Sequence, residues 1–114
     1  MSSQSDAAPA EPIRLTDPNE YENIVSRYDV VLVDFYADWC GPCQMMEPTI
    51  EALAEETDAA ILKVDVDQFQ GLAGHHDVQG IPALLVYENG EQVERMVGVQ
   101  TGDALETTIT DYTA

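Results

Sequence analysis

The sequence contains very few basic residues. Only 4 of its 114 residues are Lys or Arg, against 22 Asp and Glu, and the formal net charge at pH 7 is -18. A surface this negative repels both a phosphate backbone and an anionic membrane surface. We therefore expect a protein that binds neither nucleic acid nor membrane.

Long apolar runs are also missing. No stretch approaches the roughly 18 consecutive apolar residues that a membrane helix needs. Residues 1–12 contain neither the basic segment nor the apolar core of a secretory signal. These absences predict a cytoplasmic protein. Because residues 1–12 are small, polar and proline-containing, we expect a flexible tail, followed by one domain over residues 13–114.

Cysteine is scarce as well, since the chain has only Cys40 and Cys43. Small secreted proteins usually carry several cysteine pairs. One pair with two residues between its members, in a chain without export signals, indicates redox or metal chemistry. A zinc site would need two more donors, and the available His75 and His76 are adjacent, which suits chelation poorly. We therefore expect no metal site, and we favour a redox pair over zinc ligands or inert cysteines.

Lysine is almost absent, and Lys63 is the only one in the chain. Carboxylates in place of surface lysines suggest adaptation to high salt. At ~1 M salt the Debye length falls to about 3 Å, which largely screens the repulsion between surface carboxylates. An ordinary acidic protein from a low-salt environment is the alternative interpretation.

Strand-forming segments recur along the chain, whose hydrophobic content of 45% is sufficient for a folded core. Nearly continuous runs of β-forming residues predict buried strands at 30–36, 61–66 and 83–87. The pair Asn89-Gly90 predicts a tight turn, after which residues 92–97 return as an antiparallel strand. Residues 13–15 are a candidate edge strand.

Helical periodicity alternates with these strands. It predicts helices from Asp17 to Tyr28, from Cys40 to about Glu56 with a kink at Pro48, from Phe69 to His76, and after Thr101. In the last helix we expect Ala104, Leu105, Ile109 and Tyr112 to face inward, and we expect His75 and His76 to be exposed. The order β-α-β-α-β-β-α predicts an α/β fold, with a mixed central sheet flanked by helices on both faces.

The two cysteines fall where the predicted central strand gives way to a helix. The unpaired N–H groups and positive dipole at a helix N-terminus stabilise a thiolate. We therefore expect Cys40 to be the nucleophile. Cys43 lies one turn further along, where it is more shielded but close enough to attack a mixed disulfide on Cys40. A disulfide between them closes too short a loop to add much stability, so the spacing serves chemistry.

The cysteines belong to a longer pattern of characteristic residues. It comprises the run from Val31 to Cys43, which ends in Trp-Cys-Gly-Pro-Cys, the segment Gly80-Ile81-Pro82 before a strand, the turn Asn89-Gly90, and Gly98. This pattern resembles the thioredoxin family, and the resemblance extends from Leu15 to about Tyr112. It implies the thioredoxin fold and a protein-disulfide reductase activity. It also implies that no cofactor is needed beyond the redox-active disulfide Cys40-Cys43.

The resemblance implies roles for individual residues. Asp34 matches a buried carboxylate that takes the proton of Cys43, and burial in an apolar strand predicts a raised pKa. Lys63 matches a lysine near that carboxylate, although a side chain that merely extends to solvent is the alternative. Pro82 matches a cis-proline that lies against the disulfide.

A substrate-binding surface around the cysteines is implied in the same way. It would consist of the active-site loop residues Trp39, Gly41 and Pro42, together with Ile81, Pro82, Val97 and Gly98. Such a flat, small-residue patch could receive an extended substrate segment through backbone hydrogen bonds. For Val97, a position in the core fits the sequence equally well.

The partners implied are protein disulfide substrates and a thioredoxin reductase that restores the dithiol, and we expect a monomer. Two other functions stay open. One is a disulfide isomerase or oxidase, against which Gly41-Pro42 argues, because isomerases more often carry Gly-His between their cysteines. The other is a non-catalytic docking subunit, which needs no intact cysteines.

The salt dependence of folding tests the interpretation of the net charge. Molar salt screens the repulsion among the 22 acidic side chains. We therefore expect the free energy of unfolding to be clearly higher in molar potassium chloride than in dilute buffer. Denaturant unfolding followed by circular dichroism measures this difference. Equal stability in the two solutions would contradict a high-salt adaptation.

Overall fold

The computed structural model of the protein describes residues 7–113. Its centre is a five-stranded sheet in the order β1-β3-β2-β4-β5. The strands are β1 (Ile13–Arg14), β2 (Val30–Tyr36), β3 (Ala60–Asp65), β4 (Ala83–Glu88) and β5 (Glu91–Val97). Strand β3 pairs in parallel with β1 and β2, while β4 pairs antiparallel with β2 and β5. The mixed sheet expected from the sequence is confirmed, including the short edge strand.

Five helices accompany the strands within the described residues. They are α1 (Tyr21–Arg27), α2 (Gly41–Met45), α3 (Glu47–Glu56), α4 (Gln70–His75) and α5 (Gly102–Thr113), and a 3-10 turn at Pro18–Glu20 precedes α1. The helix predicted from Cys40 to Glu56 is broken at Met46, between α2 and α3. Pro48 stands in the first turn of α3, where its missing N–H costs no helical hydrogen bond. The predicted kink is therefore a break two residues earlier.

Strand β2 is buried along its whole length, and alternate residues face opposite layers. Val31, Val33 and Phe35 join the apolar cluster that includes residues of α1 and α4. Leu32 joins the second cluster, which includes residues of α3 and α5. Helices thus cover both faces of the sheet, as predicted. Asp34 is two positions after Leu32, so its side chain lies on the same face of the sheet, the one covered by α3.

The inward face of α5 is narrower than the sequence suggested. Leu105 and Ile109 are buried and Tyr112 is partly buried, whereas Ala104 is exposed. The prediction for Ala104 is wrong because Leu105 and Ile109, which lie one turn apart on the same face of α5, make the contact with the core. Ala104 lies on another face of the helix. Ala104 belongs to the first turn, where its N–H is capped by the Thr101 hydroxyl at 3.0 Å.

His76 is half-buried rather than exposed, so that prediction is wrong, while His75 is exposed as expected. The His76 ring lies 4.7 Å from the ring of Tyr21. Its Nδ1 lies 3.5 Å from the Tyr87 hydroxyl, and its Nε2 has no hydrogen-bond partner among the described residues. Arg95 helps to fix the residue, because its guanidinium donates to the His76 carbonyl. The sequence periodicity gave no sign of this stacking.

The tail predicted for residues 1–12 lies partly outside the described residues. Residues 1–6 lie outside the described part of the chain, and residues 7–12 form no helix or strand, although Ala8 packs against the apolar core. None of the helices between residues 7 and 113 combines the length and apolarity needed to span a bilayer.

The position of His76 predicts how stability depends on pH. Burial, and secondarily the neighbouring His75, lower the pKa of His76 below its usual 6.5. The unfolded chain therefore binds this proton at a higher pH than the folded protein. The contribution of the neutral His76 to the free energy of unfolding is complete above about pH 6.5. It is lost as the pH falls toward the lower pKa of His76 in the folded state.

Replacing His76 with Gln should flatten this part of the pH dependence. The same change at the exposed His75 is the matched control and should leave most of it in place. Urea unfolding of both variants and the unaltered protein, between about pH 5.5 and 7.5 at constant salt, measures the difference. Equal effects of His75→Gln and His76→Gln would show that the burial of His76 has no such consequence.

Candidate active site

The two cysteines lie at the start of α2, just beyond the carboxyl end of the central strand β2. Cys40 is the N-cap residue of α2, and its Sγ accepts a hydrogen bond from the Cys43 N–H at 3.2 Å. The two side chains form a disulfide with a Cα–Cα separation of 5.2 Å. The sequence prediction of a cysteine pair at a strand-to-helix junction is confirmed.

Both cysteines are shielded in this disulfide form. Their exposed fractions are 4% for Cys40 and 3% for Cys43, so the difference in shielding expected from the sequence is slight here. Tyr36 and Ala37 form one small apolar cluster with the sulfurs, and Ile81 packs against it.

The segment of Ile81 and Pro82 lies beside the disulfide. The peptide bond between Ile81 and Pro82 is cis, as predicted. The Ile81 carbonyl oxygen lies 4.0 Å from Sγ of Cys40, and the Pro82 carbonyl accepts the Gly98 N–H at 2.8 Å. Gly98 has a φ of 93°, a backbone conformation that favours glycine. The structure therefore brings Ile81, Pro82 and Gly98 together beside Cys40.

Exposed apolar side chains occur near the disulfide. Trp39 is 70% exposed, and its indole N–H donates to the Asp67 carboxylate at 2.8 Å. Val97 is 58% exposed, so of the two interpretations of this residue the structure supports the surface one. Gly41 and Pro42 are also exposed, at the tip of α2.

Sequence reasoning missed one exposed apolar residue, Met45, at the end of α2. Met46 turns into the core, where it is 2% exposed, and Met45 points outward with 74% of its surface accessible. Successive residues of a helix point about 100° apart, so adjacent side chains leave the helix in different directions. Two adjacent methionines in a sequence do not show which of them is exposed.

Asp34 lies in the middle of β2 and is only 3% exposed. Its pKa is raised from 3.8 to about 7, chiefly because burial disfavours the charged form. Lys63 opposes this effect and lowers the pKa, whereas Glu47 raises it further. The raised pKa expected from the apolar surroundings of Asp34 is thus present in the structure.

Lys63 occupies the position on β3 directly opposite Asp34 in the strand register. Its side chain is 2% exposed, which does not fit the alternative of a lysine that extends to solvent. The ammonium forms an ion pair with Glu47 of α3 and lies 4.3 Å from the centre of the Tyr36 ring. Glu47 was not recognised in the sequence, where it is one of many acidic residues on a helix.

A cavity of about 430 Å³ adjoins this group of charges. Cys43, Lys63 and Glu47 line it, together with Arg14 and Tyr36. The cavity therefore connects the surroundings of the second cysteine with those of the buried lysine. Across residues 7–113, no three His, Cys, Asp or Glu side chains are grouped so as to hold a metal ion.

Ionisation of Asp34 should destabilise the folded protein. Because its pKa rises from 3.8 to about 7 on folding, the folded protein keeps a proton in this interval that the unfolded chain has released. The free energy of unfolding therefore loses this contribution as the pH rises from 3.8 to about 7. We expect Asp34→Asn to stabilise the disulfide form by roughly 2 to 4 kcal/mol near pH 8.

The stabilisation should nearly vanish near pH 4, where Asp34 is protonated in the folded protein. Asp38→Asn, at an exposed position four residues later, removes the same charge and is the matched control. Urea unfolding of both variants at the two pH values provides the measurement. An Asp34→Asn protein no more stable at high pH than its control would contradict the burial cost assigned to this carboxylate.

The thioredoxin family model matches residues 12–111 of the chain. Among curated proteins, a thioredoxin from Staphylococcus haemolyticus is 46% identical over 95 residues, which cover 82% of this chain and 89% of that protein. This similarity spans the strands and the cysteine site together.

Comparison with solved structures also finds thioredoxins. A mutant thioredoxin from Halobacterium salinarum NRC-1 superposes with a TM-score of 0.91 at 52% identity, covering 96% of this chain and 97% of that one. A structure concerned with thiol resolution in yeast mitochondrial 1-Cys peroxiredoxin via glutathione/thioredoxin systems has a TM-score of 0.76 at 30% identity, covering 92% and 99%. The first neighbour comes from a halophile, in keeping with the acidic composition of this chain.

The matches fit the geometry of the site. A disulfide caps a helix at the end of the central strand, a cis-proline lies beside it, and a carboxylate is buried in the same strand. The family model and a relative at 46% identity extend over most of the sequence. The chain therefore belongs to the thioredoxin family, whose members are thiol-disulfide oxidoreductases that act on proteins.

Proposed function

We propose that the protein reduces disulfide bonds in other proteins, with Cys40 as the nucleophile and Cys43 as the resolving residue. The observation that carries this assignment is the hydrogen bond from the Cys43 N–H to Sγ of Cys40, at 3.2 Å. In the dithiol form the same N–H and the helix dipole favour a thiolate at Cys40. Cys43 lies inside the helix, and none of the hydrogen bonds among residues 7–113 is donated to its sulfur.

The reaction consists of two thiol-disulfide exchanges. The Cys40 thiolate attacks one sulfur of the substrate disulfide, so that a mixed disulfide forms and the other substrate sulfur leaves as a thiolate. Cys43 then loses its proton and attacks Sγ of Cys40, which expels the remaining substrate sulfur. The substrate gains two electrons and its thiolates take up protons, while the protein is left with the Cys40-Cys43 disulfide.

Asp34 is the proposed acceptor of the Cys43 proton. A general base works best when its pKa lies near the working pH, and the pKa of Asp34 is about 7. Lys63, opposite Asp34 on the next strand, favours the carboxylate that has to accept the proton. Cys43 and Lys63 both line the cavity at this place.

Substrates would bind across the exposed surface around the disulfide. The proposed surface comprises the exposed or half-buried residues Trp39, Gly41, Pro42, Ile81, Val97 and Gly98, together with Pro82, whose side chain is buried. An extended substrate segment would lie along the backbone near Pro82 and form strand-like hydrogen bonds there. Because the chain carries a net charge of -18, partners would contact this apolar surface and present basic groups around it.

Turnover requires a partner that supplies electrons, and we assign this role to a thioredoxin reductase. The yeast peroxiredoxin structure supports peroxiredoxins as one class of substrate. We further propose that the protein works as a monomer in the cytoplasm, where reducing systems keep thiols reduced, and without a prosthetic group. The working unit would be the domain of residues 13–114.

Serine variants at the two cysteines test the roles. Cys40→Ser should lower the rate of insulin reduction by on the order of a hundredfold or more, because it removes the attacking thiolate. Cys43→Ser retains that thiolate but cannot resolve the product, so it should accumulate a mixed disulfide with its substrate. Mass spectrometry of the trapped species, in molar salt, identifies which cysteine carries the substrate.

The two variants serve as controls for each other, since each removes one sulfur from the same site. Trapping by Cys40→Ser instead of Cys43→Ser would reverse the assigned roles. A dithiol-disulfide potential near the -120 mV of strong oxidants, instead of about -270 mV, would favour a disulfide oxidase. Full function of a double serine variant would favour a docking subunit.

A further inference from the structure

Glu47 and Lys63 form an ion pair across the boundary between α3 and the sheet. Glu47 is the first residue of α3, and its side chain is 31% exposed, whereas the Lys63 side chain is 2% exposed. A buried ammonium needs a counter-charge, because leaving it unpaired in the core is strongly destabilising. In this chain Glu47 supplies that counter-charge.

Asp34 competes with Glu47 for the same ammonium. It lies opposite Lys63 in the register of β2 and β3, with both side chains on the sheet face covered by α3. Two carboxylates therefore share one lysine, and Glu47 holds it by direct contact. Asp34 is 3% exposed, and within residues 7–113 the ion pair of the ammonium is with Glu47 rather than with Asp34.

Other charged groups lie around the cavity beside this triad. Arg14, on the edge strand β1, donates to the Tyr36 hydroxyl at 3.0 Å, and Asp38 lines the cavity from the loop after β2. Tyr36 contributes its ring to Lys63. Both Arg14 and Asp38 are exposed, so molar salt screens their effects far more than those of the buried pair.

We propose that Glu47 is a positioning residue that holds Lys63 away from Asp34 and so governs how readily Asp34 takes the proton of Cys43. This inference rests on the proposed function and deepens it. In the resolving step the S–H bond of Cys43 breaks and its proton passes to the Asp34 carboxylate. The electron pair left on the Cys43 sulfur forms the bond to Sγ of Cys40, and the substrate sulfur leaves.

A direct consequence concerns the ionisation of Asp34. The charge of Glu47 raises the pKa of Asp34, and Lys63 lowers it. Without the negative charge at position 47, Lys63 would turn fully to Asp34, which would then ionise at a lower pH. The carboxylate that accepts the Cys43 proton would then be available at a lower pH. The rise of the resolving rate with pH, the acid limb of its pH profile, would shift to lower pH by the same amount.

The test is an NMR titration of the Asp34 carboxyl carbon in the disulfide form, with the full chain in molar salt. Glu47→Gln keeps the shape of the side chain and removes its charge, and we expect the Asp34 midpoint to fall by roughly 0.5 to 1 pH unit. Glu51→Gln is the matched control, since Glu51 is an exposed residue one turn further along α3. It should leave the midpoint unchanged, because salt screens its charge.

Glu47→Asp keeps the charge but shortens the side chain, and it should give a smaller shift in the same direction. This variant decides the question if circular dichroism shows Glu47→Gln to be unfolded. Unchanged Asp34 midpoints in the folded position-47 variants would overturn the proposal. It would also be overturned if Glu51→Gln shifted the midpoint as much as they do.

A kinetic experiment separates this inference from the proposed function. Release of substrate from a preformed mixed disulfide on Cys40 is measured against pH for the unaltered protein and the same variants. We expect the acid limb to move by the same amount as the Asp34 midpoint. If the unaltered protein releases no substrate at any pH, the proposed function is refuted. If the position-47 variants release substrate normally and the acid limb of their pH profile is not shifted, only the role of Glu47 is refuted.

Discussion

The hydrogen bond from the Cys43 N–H to Sγ of Cys40 is the interaction on which the active site depends. It can form only because the central strand ends and α2 begins within a few residues, so that Cys40 is extended while Cys43 is helical. The same junction directs Sγ of Cys40 toward the Ile81 carbonyl. The cap thus distinguishes two cysteines that are almost equally buried, and it distinguishes them by their hydrogen bonds rather than by their exposure to solvent.

The core of the sheet next to the cysteines contains charged side chains, although apolar side chains in their place would make the fold more stable. Asp34 and Lys63 are the buried charged side chains within the described residues. Burying such groups is unfavourable unless they are paired, and here one ammonium serves two carboxylates. Apart from Asp34, the acidic side chains of residues 7–113 are exposed or partly exposed, and the net charge of the chain is -18. The charge on the surface suits a salty solvent, whereas the charge in the core suits proton transfer.

Patterns along the chain were sufficient to predict the strands, the helix starts and the position of the cysteines, because each depends on neighbouring residues. They were insufficient where the outcome depends on how elements dock. Glu47 contacts Lys63, 16 positions away, only because α3 crosses the sheet at that place. The stacking of His76 on Tyr21 and the exposure of Ala104 are set in the same way. Periodicity identifies the face of a helix but not its rotation against the sheet.

Once the disulfide is reduced, the helix cap makes the two thiols unequal in how readily each loses its proton. The most direct measurement is the titration of both cysteine Cβ resonances by NMR in the dithiol form. We expect Cys40 to lose its proton at a lower pH than Cys43, because the Cys40 sulfur accepts the Cys43 N–H at the start of α2. Titration of the two thiols together, or of Cys43 first, would contradict it.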